Sequence, residues 1–299
     1  MMDVSGIVVV NKHAGVTSND IVIKLRRLFG TRQVGHTGTL DPMATGVLPV
    51  LIGRAVKASE NITAENKRYT AHLKLGITTD TEDTTGTVLS KTDTLPKEED
   101  VLAVCADFVG DILQTPPMYS ALKVNGRKLV DLAREGITVE RQARPITVHS
   151  LKAVKLAEDL YELDVSCSKG TYIRTLCADI GAELGCGGAM ASLTRTESGP
   201  FSLAEACTVA QLEAMTEAER AACVIPLENF FLDCPAVDMP AFYARLARNG
   251  CEIYQKKIHT DLPVGTTVRM IHDGVFFALG QVREYPDGSA VKAVKIFVL

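Results

Sequence analysis

The run Gly35-His36-Thr37-Gly38-Thr39-Leu40-Asp41-Pro42-Met43-Ala44-Thr45-Gly46 sets one carboxylate, Asp41, among glycines and threonines with a proline directly behind it. Residues of these types fix unusual backbone paths. A loop so built can hold a side chain toward a ligand instead of burying it. Asp41 and Pro42 alone also fit a plain turn without chemistry. Two further candidates lie far away in the chain. Arg174 falls off the apolar stripe of a helix, where it either pairs with Asp41 and keeps it ionised or is an ordinary surface arginine. Tyr69 falls on the apolar face of a strand, as a core aromatic or as a stacking surface for a ligand.

The elements that must position these groups are legible from periodicity. Residues 6–10 form a strand, and Thr17-x-x-Asp20 opens a helix with a capping box, carrying Ile21, Leu25 and Leu28 on one face. Residues 47–52 read as a short buried strand. Alternation over 69–75 and 161–168 predicts two half-buried antiparallel strands. A helix begins near Tyr172 and carries Ile173, Leu176, Cys177, Ile180 and Leu184. Residues 97–106 and 127–135 are further helix candidates, and 205–234 reads as helical and acidic. Pro235 and Pro240 mark a boundary, beyond which Thr267–Ile271, Val275–Gln281 and Val291–Val298 are expected strands. Helices and strands do not alternate strictly, so the expected fold class is α+β with a mixed, mainly antiparallel sheet and a small β-barrel-like C-terminal unit.

Composition narrows the classes of function. The 299 residues are 46% hydrophobic, enough for a packed core in one large domain or two ordinary ones. No apolar run reaches transmembrane length, and the start Met1-Met2-Asp3 lacks the basic region and cleavage site of a signal peptide. A cytoplasmic protein without membrane association is expected. The eight cysteines form no C-x-x-C pair, and the six histidines form no H-E-x-x-H. They predict reduced, mostly buried thiols and no metal. The net charge is −4, yet residues 11–57 and 121–155 each carry a local +5, and residues 240–299 carry +3. Basic segments in an otherwise acidic chain suit a polyanion-binding face if folding brings them together; otherwise they are solvated surface.

Several strings carry a family resemblance. Asn11-Lys12-His13-Ala14-Gly15-Val16-Thr17-Ser18 departs from the family's opening N-K-P-x-G-x-T-S only by His13 for Pro and touches no catalytic group there. The Gly35–Gly46 run, Gly53-Arg54-Ala55-Val56-Lys57, Lys67-Arg68-Tyr69, Thr115-Pro116-Pro117-Met118-Tyr119-Ser120-Ala121-Leu122-Lys123 and Ser168-Lys169-Gly170-Thr171-Tyr172-Ile173-Arg174-Thr175-Leu176 follow in the family's order. Together they make residues 6–200 similar to the bacterial tRNA pseudouridine synthase B family. A shorter match places a pseudo-barrel (PUA-like) RNA-binding domain at 235–299.

The resemblance implies isomerisation of the uridine at position 55 in the T loop of tRNA, after flipping the base out, with Asp41 as nucleophile. It implies that His36, Tyr69, Tyr172, Arg174 and Leu193 bind the substrate. Tyr69 would be the platform for the extruded base, Tyr172 and Leu193 the pocket lining, and His36 the group beside the flipped nucleotide. It also implies a catalytic domain over 1–234 with an RNA-clamping insertion at 121–155. An isomerisation loses no group and changes no oxidation state, so no cofactor is expected. The expected partner is the tRNA T arm, with no obligatory protein partner and a monomeric state. Two rivals stay open: a non-catalytic tRNA-binding or folding factor on the same scaffold, and a related isomerase working within a ribonucleoprotein.

Overall fold

The structure, a computed structural model, describes residues 4–62 and 66–298; the Met1–Asp3 start and Leu299 lie outside them. Among these residues eleven strands form one sheet. Its main path runs Cys207–Thr208, Gly6–Lys12, Thr45–Ile52, Gly188–Ser198, Asn66–Leu75, Leu160–Ser168, Arg144–Ala157 and Gly110–Gln114. Two neighbouring pairs on this path are parallel, Gly6–Lys12 with Cys207–Thr208 and Thr45–Ile52 with Gly188–Ser198; the rest are antiparallel. The expected α+β class with a mixed, mainly antiparallel sheet is what the chain builds.

Burial explains the two kinds of strand pattern. In Asn66–Leu75 the residues Tyr69, Ala71, Leu73 and Leu75 are buried and their alternates are not. Cross-strand neighbours on Leu160–Ser168, such as Leu163 opposite Ala71 and Val165 opposite Tyr69, continue the same apolar face. The helices Ser18–Leu28, Glu98–Asp107 and Ile173–Glu183 pack into the core there through Ile21, Leu25, Val101, Cys105, Leu176 and Ile180. The Gly6–Lys12 strand is apolar without alternation because both of its faces are covered. Val8 and Val10 join the helix-covered core, while Ile7 and Val9 join a second cluster on the opposite face.

That second cluster takes in Phe276, Leu279 and Phe297 from the C-terminal part. There a separate five-stranded sheet orders as Ala236–Asp238, Thr267–His272, Val275–Tyr285, Gly288–Ile296 and Glu252–Tyr254. Phe276 stacks at tilted angles between Phe231 and Phe297, with centroids 5.9 and 5.3 Å away. Lys57 donates to the Ile296 carbonyl at 3.0 Å, and Arg269 pairs with Glu228 at 2.6 Å. The curled C-terminal sheet is therefore joined to the large sheet by a shared apolar core.

Several expectations are corrected. Residues 205–234 are not a continuous helical stretch. Two short helices, Val209–Ala214 and Glu217–Ala222, are flanked by the short strands Cys207–Thr208 and Ile225–Pro226, which pair with the first strand. That strand has an open side, and satisfying its backbone outweighs the local helical pattern. The C-terminal part holds a helix, Ala241–Arg248, besides its strands. The 127–135 helix shrinks to Leu129–Arg134 because Arg127–Lys128 pairs in a hairpin with Lys123–Val124. Residues 144–155 belong to the long Arg144–Ala157 strand, so the excursion from the sheet spans 115–143. Only Cys105, Cys167 and Cys177 are buried; Cys251 is exposed and the other four are intermediate. The Thr17–Asp20 capping box forms as expected.

The shared core predicts one cooperative unfolding transition rather than two. Phe276→Ala should lower the unfolding free energy by about 3 kcal/mol or more and keep the transition single, as read from denaturant melts followed by both circular dichroism and fluorescence.

Candidate active site

Asp41 lies in the loop between the Val34–His36 and Thr45–Ile52 strands, and the loop is held mainly by its backbone carbonyls. Ser18 Oγ accepts from the Leu40 N–H at 2.8 Å and donates to the Leu40 carbonyl at 3.0 Å. The Gly15 N–H donates to the Pro42 carbonyl at 2.8 Å. Two buried cations complete the hold. Lys12, fully buried, donates from Nζ to the carbonyls of His13, Val16 and Pro42 at 3.0, 2.8 and 3.3 Å. Arg195, also buried, donates to the carbonyls of Val47 and Gly38 at 2.7 and 3.1 Å. Gly46 adopts φ +101° directly against the Arg195 backbone, and a Cβ there would sit 2.2 Å from the Arg195 carbonyl oxygen. Glycine is needed at that close approach.

Arg174 meets Asp41 at the bottom of a cleft of about 880 Å³. Its Nε donates to Asp41 Oδ2 at 2.9 Å, its Nη1 to the Thr81 carbonyl at 2.9 Å and its Nη2 to the Tyr119 carbonyl at 2.7 Å. The Arg174 side chain is 6% exposed and that of Asp41 is 36% exposed. Arg174 is thus no surface arginine. A buried guanidinium bonded through each of its three nitrogens holds the carboxylate, which stays partly exposed at the cleft.

The other expected residues converge on the same cleft. His36, Tyr69, Tyr172 and Leu193 all line it, beside Lys67, Lys128, Arg134 and Lys169. Tyr69 is a member of the core, and its ring also borders the cleft. Its phenol lies against Arg195, and burial pushes its pKa up, which keeps it neutral. Burial, and then the charge of Arg195, lowers the pKa of His36, so its imidazole is neutral at pH 7. Among the described residues its buried Nδ1 has no hydrogen-bond partner. Burial likewise raises the pKa of Tyr172.

Sequence reasoning did not single out Lys12 or Arg195 as site residues, nor the Thr79–Gly86 turn whose Thr81 carbonyl receives Arg174. Lys12 carried a signal, since it directly ends an apolar strand. The turn carried one in its density of Thr and Asp. There Asp83 accepts from Thr81 Oγ1, the Thr85 N–H and Thr85 Oγ1, and Glu82 takes φ +63°. Arg195 carried none, because its burial depends on the strand pairing of Gly188–Ser198. Of the basic segments, 121–155 reaches the cleft through Lys128 and Arg134.

A carboxylate paired with a buried arginine, facing a cleft with aromatic walls and a basic rim, is the equipment of an enzyme that attacks a nucleic-acid base or sugar. Comparison with known proteins places it. The N-terminal domain profile of the TruB family pseudouridylate synthases matches residues 26–173. The tRNA pseudouridylate synthase B C-terminal domain profile matches residues 174–231. The chain belongs to the TruB family of pseudouridylate synthases. A tRNA pseudouridine synthase B of Francisella tularensis subsp. novicida is 42% identical over 94% of this chain and 92% of its own. The Francisella philomiragia protein of the same name is 40% identical over the same shares. Among solved structures, a Cbf5-Nop10-Gar1 complex contains a chain that matches with a TM-score of 0.69 and 25% identity, over 98% of this chain and 85% of that one. A chain of an H/ACA RNP bound to a substrate RNA containing 2′-deoxyuridine matches with the same TM-score at 22% identity, which speaks to the fold.

Burial, opposed by the charge of Asp41, lowers the pKa of Lys12 to about 8. Between about 8 and the unfolded lysine value the unfolded chain binds more protons than the folded one. Stability should therefore gain from this residue as pH rises from 8 toward 10.5, by at most about 1.4 kcal/mol per pH unit. Denaturant melts across that range should show a rise that Lys12→Met lacks.

Proposed function

We propose that this protein isomerises the uridine at position 55 in the T loop of tRNA to pseudouridine, with Asp41 as the nucleophile. The single observation that carries the assignment is the Asp41–Arg174 pair at 2.9 Å, at the bottom of the basic, aromatic-walled cleft. Family membership supports the uridine-to-pseudouridine chemistry, and the name of the relatives supports tRNA as the substrate.

The reaction balances within the substrate. The bond from ribose C1′ to uracil N1 breaks, the base turns, and C1′ bonds to C5; C5 gives up its proton and N1 gains one. A carboxylate can bond to the substrate and later leave. Arg174 holds Asp41 aimed into the cleft. Tyr69 stacks on the extruded base, Tyr172 and Leu193 close around it, and neutral His36 packs beside the flipped nucleotide. Extracting a stacked nucleotide costs a few kcal/mol. Phosphate contacts by cationic side chains at the cleft, Lys128 and Arg134 among them, offset that cost. In the same proposal the 121–143 part of the basic segment, which leaves the sheet, clamps the RNA, the PUA-like 235–299 unit adds RNA-binding surface, and the monomer works in the cytoplasm without a protein partner or cofactor. A purely binding role on this scaffold is the weaker reading, because binding alone gives no use for a carboxylate paired with a buried arginine.

On an unmodified tRNA transcript, Asp41→Ala should lower pseudouridine formation by at least about 1000-fold while tRNA affinity stays near that of the wild type. Product formation by the variant, or none by the wild type, would remove Asp41 from this role. Limited proteolysis should cut the free protein preferentially within 115–143, and tRNA should suppress the cut; a segment uncut in both states counts against the clamp.

A further inference from the structure

Tyr172 occupies a position with conflicting demands. It is the residue before the Ile173–Glu183 helix, the N-cap position, yet its side chain makes no capping hydrogen bond. Serine, threonine, asparagine or aspartate would normally serve there. Instead an aromatic side chain is spent on the cleft wall, two residues ahead of Arg174. The polar work is done from another strand. Gln114, only 2% exposed, accepts the Tyr172 N–H at Oε1 over 2.8 Å and donates from Nε2 to the Tyr172 carbonyl at 3.0 Å. That carbonyl also accepts the Leu176 N–H at 3.0 Å, the first turn of the helix. The amide thus bonds both backbone groups of one residue, as a neighbouring strand would.

Gln114 also stands at a junction. It is the last residue of its strand and pairs with Arg144, the first residue of the returning strand. Residues 115–143 leave the sheet between them. Pro116, two residues on, takes a hydrogen bond from Arg141 at 3.0 Å, and Tyr119 takes one from Arg174 at 2.7 Å. The base of the excursion is therefore bonded to both cleft residues of the helix start, to Tyr172 through Gln114 and to Arg174 through Tyr119.

We infer that Gln114 is a positioning residue for the reaction: its side-chain amide fixes Tyr172 in the cleft and ties that ring to the base of the 115–143 excursion. The inference rests on the reading of Tyr172 as a wall of the uridine site. Among the described residues Gln114 is the side chain that bonds both backbone groups of Tyr172 from outside the helix, while Ser120 lies beside its phenol, so loss of Gln114 slows the chemical step and spares RNA binding.

The test is a double-mutant cycle on an unmodified tRNA transcript under single-turnover conditions, with tRNA affinity measured in parallel. Gln114→Glu keeps the acceptor but removes the donor to the Tyr172 carbonyl. It should slow product formation about tenfold, the effect of losing one buried hydrogen bond, with affinity changed by less than about twofold. In a Tyr172→Ala background the same substitution should add no further loss. A loss that multiplies fully in that background overturns the inference while leaving the site intact, because Gln114 would then act on the fold at large. A wild-type rate in Tyr172→Ala alone overturns the reading of the site, and the inference with it. Gln114→Met gives a readout independent of activity: amide exchange in residues 171–176 should quicken, and unchanged exchange in a folded variant would equally overturn the inference.

Discussion

The guanidinium of Arg174 is the constraint around which the site is organised. A buried cation is costly unless each of its donors is met, and its partners come from three separate places in the chain. Asp41 lies 133 residues before it, Thr81 lies 93 before it, and Tyr119 lies 55 before it. The loop carrying Asp41, the Thr79–Gly86 turn and the base of the 115–143 excursion must therefore converge on the first turn of one helix. Asp41 contributes the only carboxylate of the three acceptors, and this contact fixes its position.

The loop carrying Asp41 is arranged so that its backbone is rigid and its carboxylate is not buried. Lys12 and Arg195 bond to carbonyls on either side of it, and Ser18 bonds to both backbone groups of Leu40. Cations used in this way hold the loop and also make its surroundings positive. Charge placed before the substrate arrives costs no reorganisation during the reaction. The large apolar face beneath supplies the stiffness: Tyr69 and Leu193 are buried core residues whose edges form the cleft wall. Core packing and the cleft wall are here built from the same side chains.

The first strand links this site to the rest of the chain. Covered on both faces, it carries Lys12 at its end, and on its far side it anchors the C-terminal sheet through Ile7, Val9 and Phe276. The same strand collects the short edge strands Cys207–Thr208 and Ile225–Pro226, which local pattern reads as helix.

The sequence by itself determined the main elements and the chemistry. The alternation of Tyr69, Ala71, Leu73 and Leu75, the capping box of Thr17 and Asp20, and the turn around Asp41 are local properties, set by side-chain periodicity and backbone preference within a few residues. The six residues expected at the site were picked out by their distinctive flanking strings, and the fold brings all six to one cleft. Tertiary structure alone decided the burial of Arg174 and Arg195, the use of Lys12 as a bridge between carbonyls, and the capping of Tyr172 by Gln114. It also decided which face of the first strand meets the C-terminal sheet. These depend on pairings between segments far apart in the chain. A side chain's own neighbours carry no record of whether a distant strand will cover it, and covering is what turns an ordinary lysine, arginine or glutamine into part of a site.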